Sequence, residues 1–285
     1  MVGVSARHAA ATRGTTYPAR MVTGRPGGRG GRGGTVRGTP RALRAVRRPG
    51  EVADGPGGSY GADRAADAPA VDAEVAARSA TRVADRAAAF VEEDELLAGL
   101  RERSAAQGVV PVAPATAAAL TFLAASTRAR AVVEIGTGLG VGTVALLRGM
   151  PADGLLTSID TDGGRQAQAR AACTEAGFPA GRVRMITGSS RQVLPRLSDA
   201  GYDLVVVDGV TTDFPRDLEA SLRLLRPGGV VVLDDVLWHG RMADPVRREA
   251  VAGALRETVR AVREDERLVP LLLPLADGLL CAARR

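Results

Sequence analysis

Lysine is missing altogether, so all 38 basic side chains are arginine, and chemistry that needs an ε-amino group is excluded. Cysteine is scarce. Cys173 and Cys281 stand far apart and form no C-x-x-C pair, which excludes a disulfide framework and a zinc knuckle. They read as two small buried apolar side chains in a reducing, cytoplasmic setting. No run of about 18 apolar residues goes uninterrupted by charge, so no membrane-spanning helix is expected. The N-terminal arginines are not followed by an apolar segment, so no secretory signal is expected either. Acidic residues are absent from positions 1–50, which hold eleven arginines. Residues 51–285 therefore carry 27 arginines against 32 acids, a net of −5, although the whole chain is +6. The basic balance belongs to the N-terminal tail.

What is present divides in two. Residues 1–75 are rich in Gly, Ala, Arg and Pro and have no sustained apolar period; Arg25 to Gly38 reads RPGGRGGRGGTVRG. Such a segment buries too little surface to offset its ordering entropy, so it is expected to be disordered. Its readings are a solvated tail, an upstream start, an organelle transit peptide, or an arginine–glycine contact with nucleic acid confined to the tail. Residues 76–285 carry the apolar patterning of a folded domain. Helices are expected over Val83–Val91, over Asp94–Gln107 with a Leu96, Leu97, Leu100 stripe, and from Pro114.

From Ala131 the chain alternates strand and helix. Strands are expected over Ala131–Ile135, Leu155–Asp160, Val183–Thr187, Tyr202–Asp208 and Gly229–Asp234. Between them fall helices at Thr143–Arg148 and Arg165–Ala176, a short one ending at Leu197, and one from Pro215 that Gly228-Gly229 should stop. A long helix over Pro245–Arg263 precedes a hairpin of Leu268–Leu273 and Leu279–Ala283 turning at Asp277-Gly278. Five β–α repeats predict a doubly wound, mostly parallel α/β sheet, which the hairpin closes with an antiparallel strand.

The first strand runs into Glu134-Ile-Gly136-Thr137-Gly138-Leu-Gly140-Val-Gly142. Glycines here permit a tight turn and close approach of a ligand. The dinucleotide pattern G-x-G-x-x-G is not met, and Glu134 would repel a pyrophosphate. A carboxylate in that place favours a ligand with an ammonium group and no phosphate, as S-adenosylmethionine is. Asp160, at the end of the second strand, is where an acid accepts ribose hydroxyls, and Ser189 follows the third strand where it can close over an adenine. The plainer readings are a turn for the glycines and a helix cap for Asp160. Farther along, Asp208 ends the fourth strand and Asp234-Asp235 the fifth. Three hard oxygen donors on neighbouring strand ends suit Mg²⁺, Mn²⁺ or Ca²⁺, or else cap the helices that follow.

From about Ala98 onward the chain resembles the metal-dependent small-molecule O-methyltransferases of the catechol and caffeoyl-CoA type. The stretches that carry the resemblance are VVEIGTGLGVGT, LLTSIDTD, YDLVVVDG, LLRPGGVVVLDDVLWHGRMADP and LADGLLCAARR. The resemblance implies a seven-stranded class I methyltransferase sheet. It implies cofactor contacts from Val112, Glu134, Gly136, Thr137, Gly142, Asp160 and Asp208, to which the reading of the loop and of the turn after the third strand adds Gly138, Gly140 and Ser189. It implies a metal held by Asp208, Asp234 and Asp235, most simply Mg²⁺, and methyl transfer to a phenolate-type oxygen of a small acceptor. The chain departs from the family pattern at Asp235, where Asn is usual, at Gly142, where Ser is frequent, at Val210, where an acid is usual, and at Thr211, where the family has its lysine. The general base is therefore open: His239 is the candidate, and a surface loop histidine beside Trp238 is the alternative. A homodimer is compatible with this reading.

Three rivals are weighed against it, of which an NAD-dependent oxidoreductase is opposed by the loop pattern. A nucleic-acid methyltransferase lacks its motif here, because Asp208 is followed by Gly-Val-Thr and neither cysteine lies at the right edge. A cofactor-binding module without catalysis is the third, suggested by the missing lysine.

Overall fold

The computed structural model describes residues 73–244 and 246–285. They belong to a compact unit, Asp63–Arg285, while the unit Met1–Ala62 lies outside the described residues. The expected disordered tail thus also lies outside them, apart from its last three positions.

Three helices come first: α1 (Ala73–Ala88), α2 (Glu95–Ala106) and α3 (Pro114–Ser126). Asp94 caps α2 by accepting the Leu97 amide, and Pro114 opens α3 where its missing N–H leaves no gap. The alternating part is β1 (Ala131–Ile135), α4 (Val141–Gly149), β2 (Leu155–Asp160), α5 (Gly163–Glu175), β3 (Val183–Thr187), the short α6 (Ser190–Val193), β4 (Tyr202–Val207), α7 (Phe214–Leu224) and β5 (Leu225–Leu233). Then follow α8 (Ala250–Glu264), β6 (Leu268–Leu273) and β7 (Leu279–Arg284).

The seven strands form one sheet in the order β3-β2-β1-β4-β5-β7-β6. The first five are parallel, and β7 runs antiparallel between β5 and β6, as expected. Successive strand side chains point to opposite faces. Val132, Leu156, Leu204 and Val206 enter one core with α2, α3, α4 and α5, whereas Val133, Ile159, Val205 and Val207 enter the other with α7 and α8. Strand order reverses between β1 and β4, and the crevice beyond their carboxyl ends is where such sheets bind ligands.

Several boundaries differ from expectation: α1 runs over Ala73–Ala88 and not Val83–Val91, and β5 begins at Leu225, not at Gly229. The helix after β4 ends at Leu224, not at the glycine pair, and Leu225 already pairs with Tyr202. Pro227 disfavours a helical conformation at Arg226, so the chain turns extended earlier. The long helix near the C-terminus begins at Ala250 and not at position 245. The preceding loop finds its hydrogen bonds elsewhere, because Arg256 donates to the carbonyls of Met242, Asp244 and Arg247.

Candidate active site

The glycine loop joins β1 to α4. Gly136 has φ +97°, and a Cβ there would fall 2.0 Å from the Asp208 carbonyl oxygen, so the close approach of the two strand ends requires glycine. The Asp160 carboxylate accepts the Thr137 and Gly138 amides, both at 3.0 Å, and pins the loop to the end of β2. Its other oxygen accepts the Asp162 amide at 2.9 Å. A cleft of about 330 Å³ opens above this loop. Gly136, Thr137, Gly138 and Gly142 line its floor, and Val112 lies on the side of the segment before α3. Asp160, Ser189 and Asp208 complete the predicted residues found in its wall.

Two predicted cofactor residues stand elsewhere. Gly140 is not in the cleft wall; at φ +99° it caps α4, and a Cβ there would press on Ala169 of α5 at 3.0 Å. Its need for glycine is helix packing. Glu134 is not at the mouth of the loop but beneath it, 2% exposed. One of its oxygens accepts the Thr143 and Ser158 hydroxyls at 2.7 and 2.6 Å. The other points at Gly142, where a Cβ would lie 2.7 Å away. Gly142 is thus a window between the buried carboxylate and the cleft. Burial pushes the Glu134 carboxyl up to about 7, against the opposing hydrogen bonds of Ser158 and Thr143.

Asp208 stands just past β4, its amide bonded to the Ile135 carbonyl, and the Asp234 amide bonds to the Val207 carbonyl. Parallel pairing of β4 with β5 therefore brings their ends together. Carboxylate oxygens of Asp208, Asp234 and Asp235 lie within 4.8 Å of one another. Desolvation, then the charges of Asp234 and Asp235, raises the Asp208 carboxyl well above its usual range. Desolvation and Asp235 push Asp234 to about 7. Three carboxyl groups in this spacing could hold a small divalent cation, whose oxygen ligands lie about 2.0–2.6 Å from the ion and so up to about 4–5 Å from one another across it. Thr116 of α3 donates to Asp234 at 3.4 Å.

His239 does not belong to that group. Its side chain is 74% exposed, its Nδ1 is 3.3 Å from an Asp277 oxygen, and its amide donates to the same carboxylate. Asp235, Trp238 and His239 all have positive φ, so the rim beside the acids is a tightly wound loop. Sequence reasoning passed over Asp277, which it read only as a hairpin turn. It also passed over Arg165 and Asp213, which line the cleft. None of the three carries a motif; only the fold brings them to the site.

The O-methyltransferase family model matches residues 87–285, and the chain belongs to that family. A Mycolicibacterium vanbaalenii protein assigned to the O-methyltransferases is 44% identical over 213 residues, 75% of this chain and 94% of the relative. Among solved structures, the O-methyltransferase TomG of Streptomyces achromogenes, involved in tomaymycin synthesis and determined in complex with S-adenosylmethionine, is 28% identical with TM-score 0.64. That match covers 71% of this chain and 96% of TomG. A Corynebacterium glutamicum protein is 29% identical with TM-score 0.65, covering 75% of this chain and 97% of its own.

Proposed function

We propose that the protein transfers a methyl group from S-adenosylmethionine to a hydroxyl oxygen of a small phenolic or catechol-like acceptor. The observation that carries this reading is Asp208, which belongs both to the wall of the glycine-loop cleft and to the three-carboxylate group. A cofactor in the cleft and an acceptor at the acids would meet there. The S-adenosylmethionine complex of TomG supports the choice of cofactor.

In this reading the cofactor ribose lies on Asp160, which keeps lone pairs for hydroxyls beside its loop amides. Glu134, reached through the Gly142 window, would hold the ammonium group, and Ser189 would close over the adenine. Asp208, Asp234 and Asp235 would hold a divalent cation, Mg²⁺ foremost, which supplies Lewis acidity that lowers the pKa of an acceptor hydroxyl. The acceptor oxygen attacks the methyl carbon in line as the carbon–sulfur bond breaks, giving a methyl ether and S-adenosylhomocysteine. His239, on the loop after β5 with its Nδ1 3.3 Å from an Asp277 oxygen, is the candidate that would take the hydroxyl proton in place of the missing lysine.

The test is methyl transfer over a phenol and catechol panel, in chelator and then with Mg²⁺ or Mn²⁺. Activity should appear only with metal. Asp208→Asn and Asp234→Asn should lose most of it, because each removes a charge the cation needs. Asp235→Asn should retain it, because Asn accepts the same positive φ, +57°, and keeps an oxygen ligand. Full turnover in chelator with all three variants active would return the acids to a structural role.

A further inference from the structure

The loop that leaves β5 and carries Asp235 and His239 has an uncommon backbone. Asp235, Trp238 and His239 stand at φ +57°, +46° and +53°, in the left-handed region that residues with a Cβ avoid. Such conformations persist only where the surrounding structure holds them. What holds this loop is the hairpin turn between β6 and β7. The Val236 amide donates to the Gly278 carbonyl at 3.1 Å, and the Leu237 amide to the Asp277 carbonyl at 2.8 Å. One oxygen of the Asp277 carboxylate accepts the His239 amide, and the other lies 3.3 Å from His239 Nδ1. Gly278 comes so near that a Cβ on it would fall 2.4 Å from Leu237 Cγ.

The Asp277 side chain is 16% exposed, and its charge adds to the repulsion that raises the carboxyls of Asp234 and Asp235. On charge alone a fourth acid beside three is unfavourable. Its oxygens offset that cost at the loop, where they meet both the backbone and the side chain of His239. The two residues of the turn thus satisfy three loop amides within four positions of Asp235. We infer that Asp277 is a positioning residue: by accepting the His239 amide it holds the loop in its left-handed course, and through the loop it sets Asp235 against Asp208 and Asp234. The inference rests on the metal reading above and adds a residue that shapes the metal site without belonging to it.

Calorimetry on the full chain decides it, with Mn²⁺ and S-adenosylhomocysteine titrated separately. Asp277→Ala should lower Mn²⁺ affinity by roughly tenfold or more, the loss typical when a residue that orients a metal ligand is removed. Asp277→Asn deletes the same charge but keeps an oxygen for the His239 amide, so it should retain most of that affinity. S-adenosylhomocysteine should bind wild type and both variants alike, because neither Asp277 nor the loop lines the glycine-loop cleft. In chelator, amide hydrogen exchange over positions 235–240 should quicken in Asp277→Ala and not in Asp277→Asn, a difference that loss of charge alone would not produce. An Asn variant as weak for Mn²⁺ as the Ala variant would overturn the inference, since charge and not the clamp would then matter. Two variants that both bind Mn²⁺ like wild type would overturn it as well. Loss of S-adenosylhomocysteine binding in Asp277→Ala would overturn a role confined to the loop. A wild type that binds S-adenosylhomocysteine but no Mn²⁺ would overturn the metal reading and this inference with it.

Discussion

Glu134 and Asp160 are both acids at the ends of neighbouring strands, yet their surroundings give them different chemistry. Asp160 sits at the surface of the cleft with amides on both oxygens. Asp160→Ala should weaken S-adenosylmethionine binding by roughly 1.5–3 kcal/mol, the loss expected for charge-assisted hydrogen bonds, and should slacken the loop it pins. An unchanged affinity in titration calorimetry would leave Asp160 as a loop anchor alone. Glu134 is buried and raised from 4.5 to about 7. In the ligand-free protein its favourable contribution is fully present below pH 4.5 and is lost as pH rises through about 7, because the unfolded chain ionises first. Glu134→Gln should therefore gain stability on wild type between pH 5 and pH 8, by on the order of 3 kcal/mol, in denaturant titrations at the two ends. Binding of an ammonium group through the Gly142 window would favour the carboxylate. Cofactor binding near pH 7 should then release a proton, visible as a heat that varies with the ionisation enthalpy of the buffer. That dependence should vanish in Glu134→Gln.

At the scale of elements, strands were the legible part. β1, β2 and β3 run over the residues expected, because parallel strands show as short apolar runs closed by glycine or aspartate, and β6, an antiparallel edge strand, is legible from the same kind of run ended by Pro274. The helix ends were harder to read. α1 begins within an alanine-rich stretch whose composition continues that of the tail, so nothing in the residues marks Ala73. The start of α8 depends on Arg256 reaching back to three loop carbonyls, a contact between residues far enough apart that no cap pattern announces it. The site divided the same way. The acids at strand ends followed from the alternation, whereas Asp277, Asp213 and the true position of Glu134 depend on how loops fold over one another. The glycine loop permits a sharp test of this packing. Gly136→Ala would place a methyl 2.0 Å from a backbone oxygen at φ +97°, and should destabilise by roughly 3 kcal/mol or more. Gly138→Ala, at φ +51° with its nearest neighbour a Val109 methyl at 3.7 Å, should lose only about 1–2 kcal/mol. Equal midpoints in urea for the two variants would mean that β1 and β4 do not approach as closely as described.

For the whole molecule the decisive quantity is where charge lies. The net of −5 over residues 51–285 is concentrated before the first helix: positions 51–72 hold five acids and one arginine. Residues 73–285 hold 26 arginines against 27 acids and are nearly neutral. A nearly neutral body offers no long-range field for polyanions, and the excess positive charge of the chain rests in positions 1–50. Every group proposed to touch cofactor, acceptor or metal lies between Val112 and Asp277. No helix among the described residues is long and apolar enough to cross a membrane. We therefore propose that residues 1–72 take no part in methyl transfer. A protein of residues 73–285 should bind S-adenosylmethionine with the affinity of the full chain. It should lose retention on a cation-exchange resin at neutral pH, and any affinity of the full chain for nucleic acid should go with it. Near-zero net charge also removes the repulsion that keeps molecules apart, so the shortened protein should be less soluble near pH 7 than the full chain. Calorimetry and a precipitation series on both proteins check these outcomes together. A shortened protein that is folded by circular dichroism yet binds no cofactor would show that the tail reaches the cleft, and would move the N-terminal boundary of the active domain into residues 1–72.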